Sequence, residues 1–478
     1  MKDLKYDAVI VGSGPNGLVA GIILAEKGLS VLVIEAKSTI GGGSRSEELT
    51  LPGFIHDLCS TIHPLAAGSP VFRSLPLSDF GLEFIWPPSD VAHPLDNGDV
   101  VLIKRSFDET AATLGADGDS YRDQIKPFAE AWDQIAPGLL GPLQIPEHPF
   151  LMARFGLKAM QSARGFAERH FEGQRARAVF AGIAAHSMIP LEDIPSAAFG
   201  LVLAITAHAV GWCLPRGGSQ QIVNALVKYF LSLGGKVETD WVVEAIDDLP
   251  PSRVVLFDLS PRQIVSIAGS RFSESGRRSL SEFRYGAGVF KMDFALSEPI
   301  PWSSKECLSS ATVHLGGTLG EISDSEKGLL RGRVSDKPFV IFVQTSLFDE
   351  TRAPPGKHTG WAYCHVPNGF GQDMSEKIVA QIERFAPGFR DCVLARHIMS
   401  PQEMEAYNSN YVGGDIGGGL NSLGQLFTRP TFSLDPYKLP ADGLYICSAS
   451  TPPGGGVHGM CGFHAARSVL DREFGITI

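Results

Sequence analysis

With 478 residues, 44% of them hydrophobic and 19% charged, the chain has a globular composition and enough length for about two or three domains and a large core. A net charge of −11 with no Lys/Arg-rich run excludes the electrostatic footprint of nucleic-acid binding. The seven cysteines form no C-x-x-C pair, so neither zinc-ligand spacing nor a dithiol redox pair is present; buried free thiols in a reducing, cytoplasmic compartment are expected.

The first element is a short apolar run, Ala8 to Val11, fit for a buried parallel strand that begins by Asp7 and leaves no room for a leader peptide. Gly12, Gly14 and Gly17 follow as G-x-G-x-x-G. Gly12 permits the tight turn, Gly14 the approach of a pyrophosphate, and Gly17 the close packing of the next helix. That helix is predicted over about 16–27, aims its free N–H groups at the phosphates, and ends at Gly28. Val31 to Ile34 form the next strand, with Glu35 at its tip to accept ribose hydroxyls. Strand, turn, helix, strand and acid stand in register, so the unit predicts a dinucleotide site.

Residues 41–58 read as a glycine-rich loop and a hairpin, with Arg45 the cation suited to a pyrophosphate. Residues 105–215 read as largely helical, for example over 119–136 and 151–171, with proline-rich breaks at 137–149 and 190–195. Between Pro195 and Pro215 lie the uncharged residues Ser196 to Leu214, close to a membrane span in length. His208, Thr206 and internal glycines favour a buried helix in which Phe199, Leu203 and Trp212 wall an apolar cavity or core. Gly217–Gly218 opens another helix, with Ile222, Leu226, Phe230 and Leu231 near one face; Gly234–Gly235 ends it, and a strand follows toward Val242, Val243 and Ile246.

In 289–296, Phe290, Met292, Phe294 and Leu296 share one strand face and Lys291 and Asp293 the other; 339–343 and 361–366 are further strands of a β-rich lobe. Near the C-terminus, Leu444 to Ser450 form a strand that runs into Gly454, Gly455, Gly456 and Gly459. A helix to about Leu470 then presents bare N–H groups at its start to a ring edge or an anion.

Taken together, these motifs resemble the phytoene dehydrogenase-related branch of the FAD-dependent oxidoreductases, akin to carotenoid desaturases and more distantly to flavin amine oxidases. The match includes the N-terminal fingerprint, Gly41–Gly42 with Arg45, Pro52–Gly53–Phe54 with Asp57, Gly217–Gly218, Val243, Gly413–Gly414–Asp415–Ile416 and the run Ser448 to Gly459. The resemblance implies FAD as cofactor. Gly12, Gly14, Pro15, Asn16 and Gly17 would hold the pyrophosphate and Glu35 the adenosine ribose. Gly42 and Arg45 would flank the phosphates, Val243 would meet the adenine, and Gly456, Val457, His458 and Gly459 would face the isoalloxazine. Ser448 and Ala449 stand where amine oxidases usually carry Gly-Asp, which fits the desaturase branch better.

The implied fold is α/β: a Rossmann-like FAD-binding domain from 1–70, 216–285 and 430–478, interleaved with an α+β substrate domain from 71–215 and 286–429. The implied reaction is hydride transfer from an apolar or amphipathic substrate to flavin, which oxygen or a quinone-like acceptor reoxidises. Alternatives are an amine-oxidase-like oxidase of a polar substrate and a non-catalytic FAD-holding protein acting through a partner. His458 is the foremost candidate acid or base and Lys291 the second, each weighed against a packing or ion-pairing role. No metal site is expected, and peripheral membrane contact is compatible with an apolar substrate.

Overall fold

In the computed structural model, which describes residues 5–478, the first sheet is wholly parallel. Its strands are ordered Leu444–Ile446, Ser252–Phe257, Tyr6–Val11, Val31–Ile34 and Lys236–Glu238. Ala8, Val9, Ile10, Leu32 and Val33 at its centre are fully buried, as strands covered on both faces require. The crossover between the central pair is the helix Pro15–Ala25. Proline at its first turn sets φ without forfeiting a needed N–H, and Gly28, at φ +79°, turns the chain away after it.

The helix Met460–Val469 packs directly on Pro15–Ala25. A Cβ on Gly462 would lie 1.9 Å from the Asn16 carbonyl oxygen and 3.0 Å from the Ala20 nitrogen, and one on Gly459 would lie 2.6 Å from Val19 Cγ2. Only glycine allows this backbone-to-backbone approach. It sets the two glycine-rich loops, some 440 residues apart in sequence, side by side.

The second sheet has seven strands, ordered Val393–Met399, Gly288–Leu296, His358–Val366, Val340–Val343, Ser310–Leu315, Ser89–Pro94 and Val100–Ile103. All neighbours are antiparallel except Ser310–Leu315 with Ser89–Pro94. Strand alternation sorts its residues cleanly. Phe290, Met292, Phe294, Phe342 and Val313 form a dry core with Ile378 and Ile382 of the helix Ser375–Phe385. The opposite face carries Lys291, Asp293, Thr312, His314, Tyr363 and His365, an unusually polar set for a fully covered sheet.

Helices between 107 and 209 pack over that polar face, and several boundaries differ from the sequence reading. The expected helix 119–136 is two, Gly118–Ala129 and Trp132–Leu139; the expected helix 151–171 is Pro149–Ala159 and Ala163–His170, the latter capped by the Ser162 hydroxyl on the Gly165 N–H. The apolar stretch after Pro195 is helical only over Ser196–Ala209, because the chain reverses at Gly211 with φ +79°. Among the described residues no helix is long and apolar enough to cross a membrane. Leu231 is half-exposed, since it lies a full 100° round the helix Gln220–Ser232 from Phe230; Val223 takes its place on the buried face. Val242 and Val243 lie in a loop beyond the short strand Lys236–Glu238.

The glycine contact makes a direct prediction. Gly462→Ala should lower unfolding free energy by roughly 1–3 kcal/mol, the cost of overpacking, measured by urea denaturation. An unchanged midpoint would show that the two helices do not meet as described.

Candidate active site

A single cavity of about 970 Å³ runs from the glycine-rich loops to the helical lobe. Gly12, Gly14, Pro15, Asn16, Glu35, Gly42, Arg45, Val243, Ser448, Gly456, Val457 and His458 all border it. Gly17 and Gly459 stand directly behind. A Cβ on Gly17 would strike the Gly12 carbonyl oxygen at 2.3 Å, and one on Gly459 would strike Phe72 and Val19 at 2.6 Å. Both glycines therefore shape the cradle from behind its lining.

Glu35 is held from several sides. Its Oε2 accepts from the Ser13 hydroxyl (2.5 Å) and the Ser13 N–H (3.2 Å), and its Oε1 accepts from the Lys37 N–H (3.0 Å). Arg45 Nη2 lies 3.1 Å from Oε1 and also donates to the Thr39 carbonyl, with its guanidinium 5.5 Å from the Tyr407 ring centre. Arg45 thus borders the cavity, but with its charge directed at Glu35. The loop Trp241–Val243 is tied to the same acid, since the Trp241 N–H donates to the Glu35 carbonyl at 3.0 Å.

Asp258 was not among the sequence candidates, yet it sits at the centre of the phosphate loop. It follows the strand Ser252–Phe257, and its Oδ2 accepts from the Gly17 N–H at 3.0 Å. Burial, opposed by the Gly17 and Gly14 N–H groups and reinforced by Glu35, pushes its carboxyl up to about 7. The signal was legible: an apolar run, Val254 to Phe257, ends in an acid before a proline-started helix at Pro261, a further strand–turn–helix of the parallel sheet. The Asn16 Oδ1, buried in the same cradle, has no partner among the described residues. The cradle that a Cβ would fill, the unpartnered amide oxygen and the held carboxylate of Glu35 fit a dinucleotide.

The two catalytic candidates each have protein partners. His458 borders the cavity, but Nε2 donates to the Gly454 carbonyl (3.2 Å) and Nδ1 accepts from the Met460 N–H (3.0 Å). Burial, against the Gly454 and Gly455 carbonyls, lowers it to about 4. Both nitrogens are hydrogen-bonded to backbone of the glycine loop. Lys291 does not reach the cavity. It is sealed against Asp293 on the polar sheet face, 5.7 Å from the Trp361 ring centre, with both side chains almost wholly buried. Its neighbours there are the Asp293 carboxylate and the Trp361 ring, an ion-paired setting.

Beyond Ile62 to Leu65 the cavity changes character. Met152, Phe155, Phe199, Val202, Leu203 and Trp212 wall one side and Ile341, Val343, Trp361 and Tyr363 the other. The acids bordering the cavity are Glu35 and Asp258, both at the dinucleotide end. His186 borders the apolar end, and its Nε2 is 3.0 Å from His314 Nε2. Behind them a buried pair, His365 and Glu326, meets at 2.7 Å.

Residues 10–75 match the model of an NAD(P)-binding Rossmann-like domain. The mouse pyridine nucleotide-disulfide oxidoreductase domain-containing protein 2 is 24% identical, the alignment covering 98% of this chain and 93% of the relative. A lycopene-forming phytoene desaturase of Pseudescherichia vulneris is also 24% identical, covering 97% and 99%. The chain is an FAD-dependent oxidoreductase, similar in sequence to the phytoene desaturases. Its fold is shared with a putrescine oxidase solved with putrescine, at a TM-score of 0.62 and 16% identity over 98% of each chain. No dithiol pair supports disulfide chemistry here: all seven cysteines are buried and free.

The raised Asp258 gives a signed pH dependence. The folded state holds this proton between the ordinary carboxyl range near 4 and about 7 while the unfolded chain does not, so its contribution to stability is full below 4 and lost as pH rises through 7. Asp258→Asn should remove that slope from a urea-denaturation series at pH 4–8 while keeping an acceptor for the Gly17 N–H. An identical slope in the variant would show that Asp258 carries no raised proton affinity.

Proposed function

We propose that this flavoenzyme takes hydride from an apolar or amphipathic organic substrate, with oxygen or a quinone-like compound as the final electron acceptor. The observation that carries the reading is the composition of the cavity: one end is polar and glycine-rich, and the other is walled by methionine, aromatic and branched side chains with no acid among them. A cationic amine would need a carboxylate or a negative field there; a neutral apolar molecule needs none.

When bound, FAD supplies the hydride acceptor at N5. The chain supplies the setting. Glu35, oriented by Arg45 and Ser13, would hold the ribose, and Gly12 to Asn16 with Gly42 would admit the pyrophosphate. Val243 would lie along the adenine, and Ser448 and Gly456 to His458 would form the wall at the ring. The start of the helix Met460–Val469 turns its positive end toward that wall, which favours electron-rich flavin. Met152, Phe155, Val202, Leu203 and Ile341 exclude water from the substrate end. We assign residues 1–70, 216–285 and 430–478 to the cofactor domain and the remainder to the substrate domain.

The mouth supports a lipid-borne substrate. Leu143, Met160, Phe427, Phe432 and Leu434 border the cavity and are exposed, Phe432 at 89% and Leu434 at 104%; Ile145 and Phe150 stand exposed in the adjoining segment. Clustered exposed apolar side chains at a cavity entrance suit peripheral membrane contact, through which the substrate enters without crossing water.

Two measurements test this reading. FAD should co-purify, and Glu35→Ala should weaken its retention by roughly 1.5–3 kcal/mol through loss of a charged acceptor, read as occupancy after dilution and dialysis; full occupancy in the variant would refute the ribose role. Phe432→Ser with Leu434→Ser should reduce co-sedimentation with phosphatidylcholine vesicles while flavin content stays constant. Equal vesicle binding by wild type and variant would remove the membrane entrance.

A further inference from the structure

Within the apolar end of the cavity, several side chains keep a polar atom unspent among the described residues, His186 and Thr312 among them. His186 engages Nε2 with His314 at 3.0 Å, and its Nδ1 has no hydrogen-bond partner among the described residues. The residue is half-buried, packed edge-on to Trp212 at 5.6 Å between ring centres, and borders the cavity. Thr312, on the facing strand Ser310–Leu315, is 1% exposed and borders the same space, and its Oγ1 also lacks a partner.

The histidine pair fixes which way His186 works. His314 is fully buried, and its Nδ1 has no partner among the described residues. If His186 donated to His314, that Nδ1 would have to carry an unpaired buried N–H. If His314 donates instead, the same nitrogen is left as a lone pair, the less costly of the two orphans. His186 Nε2 then accepts, and its Nδ1–H points into the cavity as a donor. Neighbouring His93 repeats the pattern: Nε2 donates to the Gly317 carbonyl at 2.7 Å and a bare Nδ1 is left buried. Burial, with His365 beyond, holds His186 down to about 3, so the donor is a neutral imidazole and not a cation.

We propose that His186, set in its tautomer by His314 and assisted by Thr312, is a substrate-anchoring residue for a neutral apolar molecule bearing one acceptor oxygen, such as a ketone or an alcohol. The inference deepens the apolar-substrate reading and rests on it. His186 would select register along a largely apolar channel, because a carbonyl placed away from it and from the Thr312 and Tyr363 hydroxyls loses its hydration without replacement. His314 acts as a positioning residue through His186.

The test uses FAD-loaded protein and titration calorimetry with 2-undecanone and undecane. His186→Leu should weaken the ketone by about tenfold, one lost hydrogen bond, and leave the alkane unchanged or tighter. His186→Gln, which retains an N–H donor, should restore most of the ketone affinity and guards against a folding defect in the leucine variant. Equal effects on both ligands, or no effect on the ketone, would overturn the anchoring role while leaving the apolar reading intact. Failure of wild-type protein to bind either ligand would overturn the apolar reading and the anchor with it.

Discussion

Two helix backbones touch, and the site depends on that contact. Gly462 lets the helix Met460–Val469 lie against the Asn16 carbonyl, at a distance no side chain allows. A strand–turn–helix from each end of the chain is thereby fused into one wall, and the cavity exists because the wall is continuous. Gly12, Gly17 and Gly459 extend the same principle: each removes a Cβ where backbone must meet backbone or packed side chains. The glycines are thus a packing requirement first, and access for a dinucleotide follows from it.

Charge is arranged around that wall with little left free. Glu35 and Arg45 satisfy each other, and Asp258 occupies amides at the start of Pro15–Ala25. Asp57 ties the hairpin, the helix Gln220–Ser232 and the second lobe together: it accepts from Ser46, Thr61 and the Ser219 N–H and pairs with Arg352 at 2.8 Å. Burial alone would raise that carboxyl, but Arg352 and the three hydrogen-bond donors outweigh it and hold it below the ordinary range. The polar sheet face behind the cavity follows the same rule, with Lys291 on Asp293 and His365 on Glu326. Of the polar atoms left without a partner among the described residues, those of His186 and Thr312 belong to side chains that border the apolar end of the cavity.

Local signals were legible in the sequence where one element carries both pattern and purpose. The run from Ala8 through Glu35 predicted strand, turn, helix, strand and acid because parallel strands are apolar throughout and the glycine spacing is dictated by the turn. The strand with Phe290, Met292 and Phe294 on one face was legible for the same reason. The breaks at 130–131 and 160–162 were not, because apolar spacing there continues across both kinks and only the cap at Ser162 marks one of them. His458 and Lys291 looked available for chemistry because sequence shows a titratable group but not its partners. Asp258 and His186 were missed for the converse reason. Their neighbours, Gly17 and His314, lie 241 and 128 residues away, and only the fold brings them together.

The central claim is that one cavity joins a flavin end to a neutral, apolar substrate end. It is tested most directly by anaerobic stopped-flow of the FAD-loaded enzyme against two compound sets, neutral terpenoid or long-chain molecules and primary alkylamines, with loss of the oxidised flavin band as the signal. The account predicts that members of the neutral set bleach the flavin and the amines leave it oxidised. Rapid bleaching by the amines, with none by the neutral set, would contradict it.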